Sequence, residues 1–151
     1  MSVFFASLLV AHVLFGIVGV ILIFMVTFML LKKELQKKEL TCTSFGAFLA
    51  YIISWFSGGW YYWKYYGTTV KPAIMAGEFR WAHSIIMEVK EHIFLFLPFA
   101  SLALALVIYL KFDALLTDQV FRRKVIQLSI AVTVLAIIIT LSGVLITGGA
   151  R

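Results

Sequence analysis

The chain consists of long apolar runs separated by shorter segments that carry most of its charge. Four runs are long enough to cross a membrane: residues 3–31, about 43–63, about 82–110 and about 125–147. A helix needs roughly 20 residues to cross a hydrocarbon core of about 30 Å. Only helices and closed barrels satisfy their backbone hydrogen bonds in lipid, and runs of this length are helices. The pattern therefore predicts an all-α integral membrane protein.

The segments between the apolar runs are short. Residues 32–39 and 111–124 are rich in charge, whereas about 61–81 is rich in aromatic residues. Short connections favour antiparallel neighbours, so we expect an up-down four-helix bundle that forms a single domain over residues 1–151. Each half also contains a His-Val-Leu-Phe or His-Ile-Phe-Leu segment followed by Ser-Gly. This similarity suggests a duplicated helical hairpin.

Composition supports a membrane location and argues against other classes of protein. Hydrophobic residues make up 63% of the chain and charged residues 13%, against roughly half and a quarter in soluble domains. The net charge of +6 does not indicate a nucleic-acid partner, because the basic residues flank the apolar runs. With Cys42 as the single cysteine and no Cys-x-x-Cys-His motif, an intramolecular disulfide and a covalent c-type haem are excluded.

The distribution of Lys and Arg predicts the orientation. The first and third connections carry eight of these residues and the N-terminus carries none; the middle connection and the C-terminus carry four, namely Lys64, Lys71, Arg80 and Arg151. The positive-inside rule then places both termini outside.

The first run is too long for a signal peptide and lacks a basic start, so we interpret it as a retained helix. We expect a bacterial or archaeal plasma membrane.

Aromatic residues gather in and around the middle connection. We expect them to anchor the outer helix ends at the membrane interface, where Trp and Tyr concentrate. They are Trp60, Trp63, Trp81, Tyr61, Tyr62, Tyr65 and Tyr66.

The stretch from His83 to His92 is a dense group of ionisable residues at the start of the third span. Ionisable groups at membrane depth are costly unless they are paired, ligated or hydrated, so they are candidates for function. We expect Lys90 and Glu91 to lie in water. His92 adjoins the uncharged run that follows and is the stronger candidate for a site.

His12 and His92 are predicted to lie at the same depth. His12 precedes Lys32 by twenty residues and His92 precedes Lys111 by nineteen, which at 1.5 Å per residue puts both imidazoles about 30 Å from the inner boundary. The first and third helices are diagonal in an up-down bundle. The two histidines are therefore expected to face each other across the core near the outer surface.

Glycines are predicted at the same level. Gly16 shares the face of His12, and Gly58 and Gly143 follow serines near the outer ends of the second and fourth helices. A b-type haem needs axial ligands from opposite sides and flat clearance for the porphyrin. We expect Lys64 and Arg80, in the outer connection, to pair with its propionates.

This arrangement resembles the four-helix membrane b-type cytochromes, in which histidines on separate helices ligate haem. The resemblance implies that His12 and His92 are the axial ligands, and that electrons pass between a quinol pool and an outer redox partner, or that haem itself is handled. Three histidines allow at most one bis-histidine haem. A homo-oligomer is compatible with this architecture.

Two other functions are compatible with the sequence. Glu88 and His92 are four residues apart on one helix face, and with His83 and His12 they could bind zinc, iron, manganese or copper. Alternatively the chain has no cofactor. The outer aromatic residues, Lys64 and the stretch from His83 to His92 could then form a pocket for a quinone or lipid headgroup, or an interface through which the chain is a small subunit of a membrane complex.

Overall fold

The chain is helical throughout most of its length. The computed structural model describes residues 1–149, and this range contains helices and no strand. Four helical segments are long and apolar enough to cross a membrane: Val3–Leu31, Lys37–Ala76, Ala82–Leu110 and Gln119–Ile146. This confirms the predicted all-α class and the four spans. Arg151, counted in the charge comparison, lies outside the described residues.

The four spans are built from five α-helices and two π-helical segments, and a sixth α-helix lies between the third and fourth spans. The first span is α1, Val3–Leu31. The second span runs through α2, π1 and α3, which are Lys37–Tyr61, Tyr62–Val70 and Lys71–Ala76. The third span consists of π2 and α4, which are Ala82–Met87 and Glu88–Leu110. The short helix α5, Phe112–Thr117, precedes α6, Gln119–Gly149.

The second span extends beyond its predicted limits of about 43–63 at both ends. The aromatic segment interpreted as a connection is helical as far as Ala76, and the turn that follows contains Gly77. Pro72 does not break the helix because it lies in the first turn of α3, where a missing N–H costs little. The prediction of a loop here was wrong because only Gly77 and the residues after it stop the helix.

The fourth span begins six residues before its predicted start at Val125. Asp118 Oδ1 accepts hydrogen bonds from the backbone N–H groups of Val120 and Phe121 at 2.8 and 3.0 Å. This carboxylate therefore caps the first turn of α6, as Asp does at many helix N-termini. Apolar periodicity alone does not detect the preceding charged turn.

The bundle core is formed by one stripe of each long helix. In α1 the stripe consists of Gly19, Ile23, Val26 and Leu30, at intervals of four, three and four residues, as one helix face requires. Helices α1 and α4 each pack against both α2 and α6. Thr27 joins α1 to α6, because its hydroxyl lies 2.6 Å from Ser129 Oγ and 3.0 Å from Thr133 Oγ1. Small residues and hydroxyl contacts of this kind hold membrane helices together.

We predict that Gly19→Ala destabilises the bundle. A Cβ atom at Gly19 would collide with the ring of Tyr51, which is buried in the core. Separating α1 from α2 to relieve this collision should cost about 1–3 kcal/mol. Thermal unfolding in detergent measures the effect.

Gly59→Ala is the matched control, since a Cβ there would meet no atom within 4 Å. This variant should unfold at or above the wild-type temperature. Equal loss of stability in the two variants would contradict the close approach of α1 and α2 at Gly19.

Candidate cofactor-binding cavity

Two adjoining cavities lie between the helices at the end of the bundle where α1 begins. Their volumes are about 400 and 510 Å³, within the range of roughly 300–1,000 Å³ that binds small molecules. Both cavities are lined by Leu9, His12, Lys90, Phe94 and Gly143. The shared lining is apolar apart from one imidazole and one ammonium group, so the cavities suit a largely apolar ligand.

His12 is fixed by the backbone and side chain of Ser54 on α2. His12 Nδ1 lies 2.8 Å from the carbonyl oxygen of Ser54, and Ser54 Oγ donates to the His12 carbonyl oxygen at 2.8 Å. A carbonyl oxygen only accepts, so the proton is on Nδ1. In a neutral imidazole Nε2 is then an acceptor, and no hydrogen bond to Nε2 is found within residues 1–149.

Gly58 lets the His12 ring approach α2. A Cβ atom at Gly58 would occupy the position of this ring. Ser54 and Gly58 are four residues apart, so they share one face of α2. On the opposite side, the ring of Phe94 lies edge-on to the imidazole, with ring centroids 5.7 Å apart. The imidazole is thus held between α2 and α4 with Nε2 as its unpaired nitrogen.

Helix α4 presents Lys90 to the cavities. Lys90 precedes Phe94 and Leu97 by four and seven residues, and Leu97 is 1% exposed, so this stripe faces the core. Lys90 Nζ lies 3.3 Å from the position that a Cβ would take at Gly143. The structure therefore places an ammonium group and an imidazole at the same level of the bundle.

His92 lies on another face of α4. Its Nδ1 is 2.7 Å from the carbonyl oxygen of Glu88 in the same helix, and the side chain is exposed. Phe96 and Phe99, which share this face, are 64% and 62% exposed. His92 lines neither cavity. The structure does not bring His12 and His92 together.

Glu91 also lines the first cavity. One of its carboxylate oxygens, Oε1, is buried and makes no hydrogen bond in the described part of the chain, while the carboxylate as a whole interacts with the Tyr62 hydroxyl. The expectation that Lys90 and Glu91 lie in water was wrong, because both are partly buried and both line the first cavity. A buried acceptor without a partner favours a ligand that donates a hydrogen bond.

A second polar cluster connects the cavity to the exposed surface. His83 is 2% exposed; its Nδ1 lies 3.1 Å from the Tyr66 hydroxyl, and its Nε2 lies 3.9 Å from Glu88 Oε1. Tyr66 lines the first cavity, whereas half of the Glu88 side chain is exposed. Tyr66 and His83 belong to π1 and π2, and π-helical segments often occur at functional sites.

The metal-binding hypothesis gains only one contact from the structure. That hypothesis uses His12, His83, Glu88 and His92. Two of these four residues, His83 and Glu88, approach each other. Within residues 1–149, no group of three His, Cys, Asp or Glu side chains is placed to hold a metal ion.

The remaining candidates are divided between the cavities and the surface. Gly16 and Gly58 each line one of the cavities, and Gly143 lines both. Lys64 instead lies over the ring of Trp63, with Nζ 3.6 Å from the ring centroid, and Arg80 is exposed. Neither basic residue lines a cavity.

The aromatic residues of the predicted outer belt do not form one group. Trp60, Trp63 and Trp81 are exposed, as interface anchors are. Tyr66 is buried against His83, and Tyr62 is stacked on it with ring centroids 5.1 Å apart. Tyr61, Tyr62 and Tyr66 therefore form part of the wall of the first cavity, whereas Tyr65 does not.

Sequence reasoning missed Ser54, Lys90 and Tyr66. Helical spacing gives a signal for the first two, because Ser54 is four residues before Gly58 and Lys90 is four before Phe94. Tyr66 has no comparable signal, since its direction depends on the π-helical register of π1.

No protein-family model matches the chain, and neither a curated protein nor a solved structure is significantly similar to it.

We predict that Tyr66→Phe destabilises the protein. The substitution removes the hydroxyl that pairs with the buried His83 Nδ1, and a buried polar atom left without a partner costs about 1–3 kcal/mol. Thermal unfolding in detergent measures the loss. Tyr65→Phe is the control, because the Tyr65 ring packs on Phe5 and Tyr61 and its hydroxyl makes no hydrogen bond within residues 1–149. If the two variants are equally stable, the Tyr66–His83 pair contributes nothing.

Proposed function

We propose that the protein binds haem b in the cavities and that His12 supplies an axial ligand. The observation that carries this proposal is the hydrogen bond from His12 Nδ1 to the carbonyl oxygen of Ser54. Ligand histidines usually donate their other ring N–H in this way, which fixes the ring and leaves the second nitrogen for the metal. Haem would supply one-electron chemistry.

The residues around His12 fit one side of a haem. Gly16, Gly58 and Gly143 limit side-chain bulk along the cavities. Lys90, rather than Lys64 or Arg80, offers its ammonium group to a propionate from inside the cavity lining. Since His12 is the one histidine in the lining of these cavities, we infer that it would hold the haem without a second histidine.

We further propose that the four spans form an up-down bundle with both termini outside, in a bacterial or archaeal plasma membrane. The packing of α1 and α4 against both α2 and α6 supports the bundle. The excess of Lys and Arg in the first and third connections supports the orientation. In this setting the haem would exchange electrons between a membrane quinol pool and an outer-face redox partner.

We predict that His12→Ala removes bound haem and that His92→Ala does not. Protein purified in detergent from haem-replete cells should show a Soret band in the wild type and in His92→Ala, and little or none in His12→Ala. Carbon monoxide should shift the Soret band of the reduced wild type, because an axial position is accessible. Absorption spectra before and after dithionite and carbon monoxide measure these properties.

The two histidine variants distinguish a haem held by His12 alone from a haem held by both His12 and His92. Loss of haem in His92→Ala, together with a wild-type spectrum that carbon monoxide leaves unchanged, would support a bis-histidine haem and contradict the single-histidine site. A wild type without any Soret band would reject haem binding altogether.

A second candidate function is direct binding of a quinol. Glu91 Oε1 is a buried acceptor without a partner, and it lines the same cavity as His12, whose Nε2 is also an acceptor. Two acceptors in an apolar cavity suit a ring that carries two hydroxyl donors. The cluster of Tyr66, His83 and Glu88 would then connect this cavity to exposed solvent for proton exchange.

We predict that Glu91→Ala weakens binding of a short-chain benzoquinol to haem-free protein. Loss of a hydrogen bond to a charged group costs about 1.5–3 kcal/mol, or roughly tenfold or more in affinity. Quenching of tryptophan fluorescence measures the affinity. Glu78→Ala is the control, because its carboxylate is exposed and lines neither cavity. Equal affinities for Glu91→Ala and the wild type would exclude this site.

A further inference from the structure

A basic cavity lies at the opposite end of the bundle from His12. It occupies about 370 Å³ between the end of α1 and the start of α6. Four of its lining residues are cationic, Lys32, Lys33, Arg122 and Arg123, and no carboxylate lines it. Both helices are membrane spans, and these cations lie where the apolar part of each span ends. The cavity is therefore at the level of the lipid headgroups.

Arg122 builds the inner wall of this cavity. Its Nε and Nη2 donate to the carbonyl oxygen of Leu30 at 3.2 and 2.9 Å, and Nη2 also donates to the carbonyl oxygen of Lys32. The last carbonyl groups of a helix have no partner within the helix. Arg122 therefore joins the end of α1 to α6, and its guanidinium is engaged by the protein itself.

The other three cations are directed to the surface. Lys32, Lys33 and Arg123 are exposed. Among the acidic residues nearby, Asp118 caps α6 through Oδ1, and Glu34 and Glu39 line a separate small cavity that Lys32 also lines. Three exposed cations beside an immobilised guanidinium create a positive concavity, which favours an anion.

The floor of the cavity is apolar. Leu30, Leu31 and Ile126 line it together with the cations, and Leu31 is exposed on the lipid-facing side of α1. This apolar surface would not stabilise a bound soluble anion, whereas it could pack against the acyl chain of a lipid. Basic residues between membrane helices at the headgroup level are a known means of binding anionic lipids.

We propose that this cavity binds an anionic diacyl phospholipid from the surrounding leaflet. Its phosphodiester group would lie among Lys32, Lys33 and Arg123, and an acyl chain would follow Leu31 and Ile126 along the groove between α1 and α6. This site is independent of the haem and quinol proposals, since it lies at the other end of both helices.

Native mass spectrometry of the full chain released from mixed nanodiscs tests the proposal. The nanodiscs contain phosphatidylglycerol and phosphatidylcholine in equal amounts. The variant is Lys33→Ala/Arg123→Ala, and the control is Lys38→Ala/Lys124→Ala, which removes the same charge from exposed residues of the same connections outside the cavity lining. Inorganic phosphate and glycerophosphate are added as competitors.

The wild type and the control should retain one phosphatidylglycerol, and the cavity variant should retain it at least about tenfold less well, since each cation near a membrane surface contributes to anionic-lipid binding. Neither competitor should displace the lipid. Equal retention by both double variants would show that surface charge alone attracts lipid and would overturn the site. Displacement by inorganic phosphate would show a simple anion site instead of a lipid site.

Discussion

The N–H group of an imidazole inside a membrane bundle needs a hydrogen-bond acceptor within the protein, because lipid offers none. His12 meets this requirement through Ser54, whose carbonyl oxygen accepts from Nδ1 at 2.8 Å. That contact requires α1 and α2 to approach closely, and Gly19 and Gly58 allow it by leaving room for Tyr51 and for the His12 ring. The rest of the site depends on this pairing, since it fixes which ring nitrogen is available to a ligand.

The opposite wall is determined by which stripe of α4 faces the core. Lys90, Phe94 and Leu97 form that stripe, whereas His92, Phe96 and Phe99 face outward. The cavity consequently combines a cation, an unpaired carboxylate oxygen of Glu91 and one imidazole. No group of three metal-ligating side chains is placed together in residues 1–149, and the apolar lining with a few polar groups suits an amphipathic ligand.

The sequence was sufficient to predict four apolar helical spans, but neither the limits of the second and fourth spans nor the faces of the helices. His12 shares the core stripe with Gly16 and Gly19, as helical spacing predicts. His92 was assigned to the core because its depth matched that of His12. In a membrane protein both the lipid-facing and the core-facing surfaces are apolar, so hydropathy does not distinguish the stripe of Phe96 from the stripe of Leu97. The π-helical turns that join Tyr66 to His83 likewise have no periodic signal.

The central claim is that His12 presents an unprotonated Nε2 to the cavity. Nitrogen-15 solid-state NMR of histidine-labelled protein in bilayers, without added cofactor, measures the tautomer directly, and a His12→Gln sample identifies the resonance. With the imidazole neutral, the account predicts a protonated Nδ1 and an unprotonated Nε2 for His12. A His12 ring protonated on Nε2 alone would contradict it, because Nδ1 could then not donate to the Ser54 carbonyl oxygen.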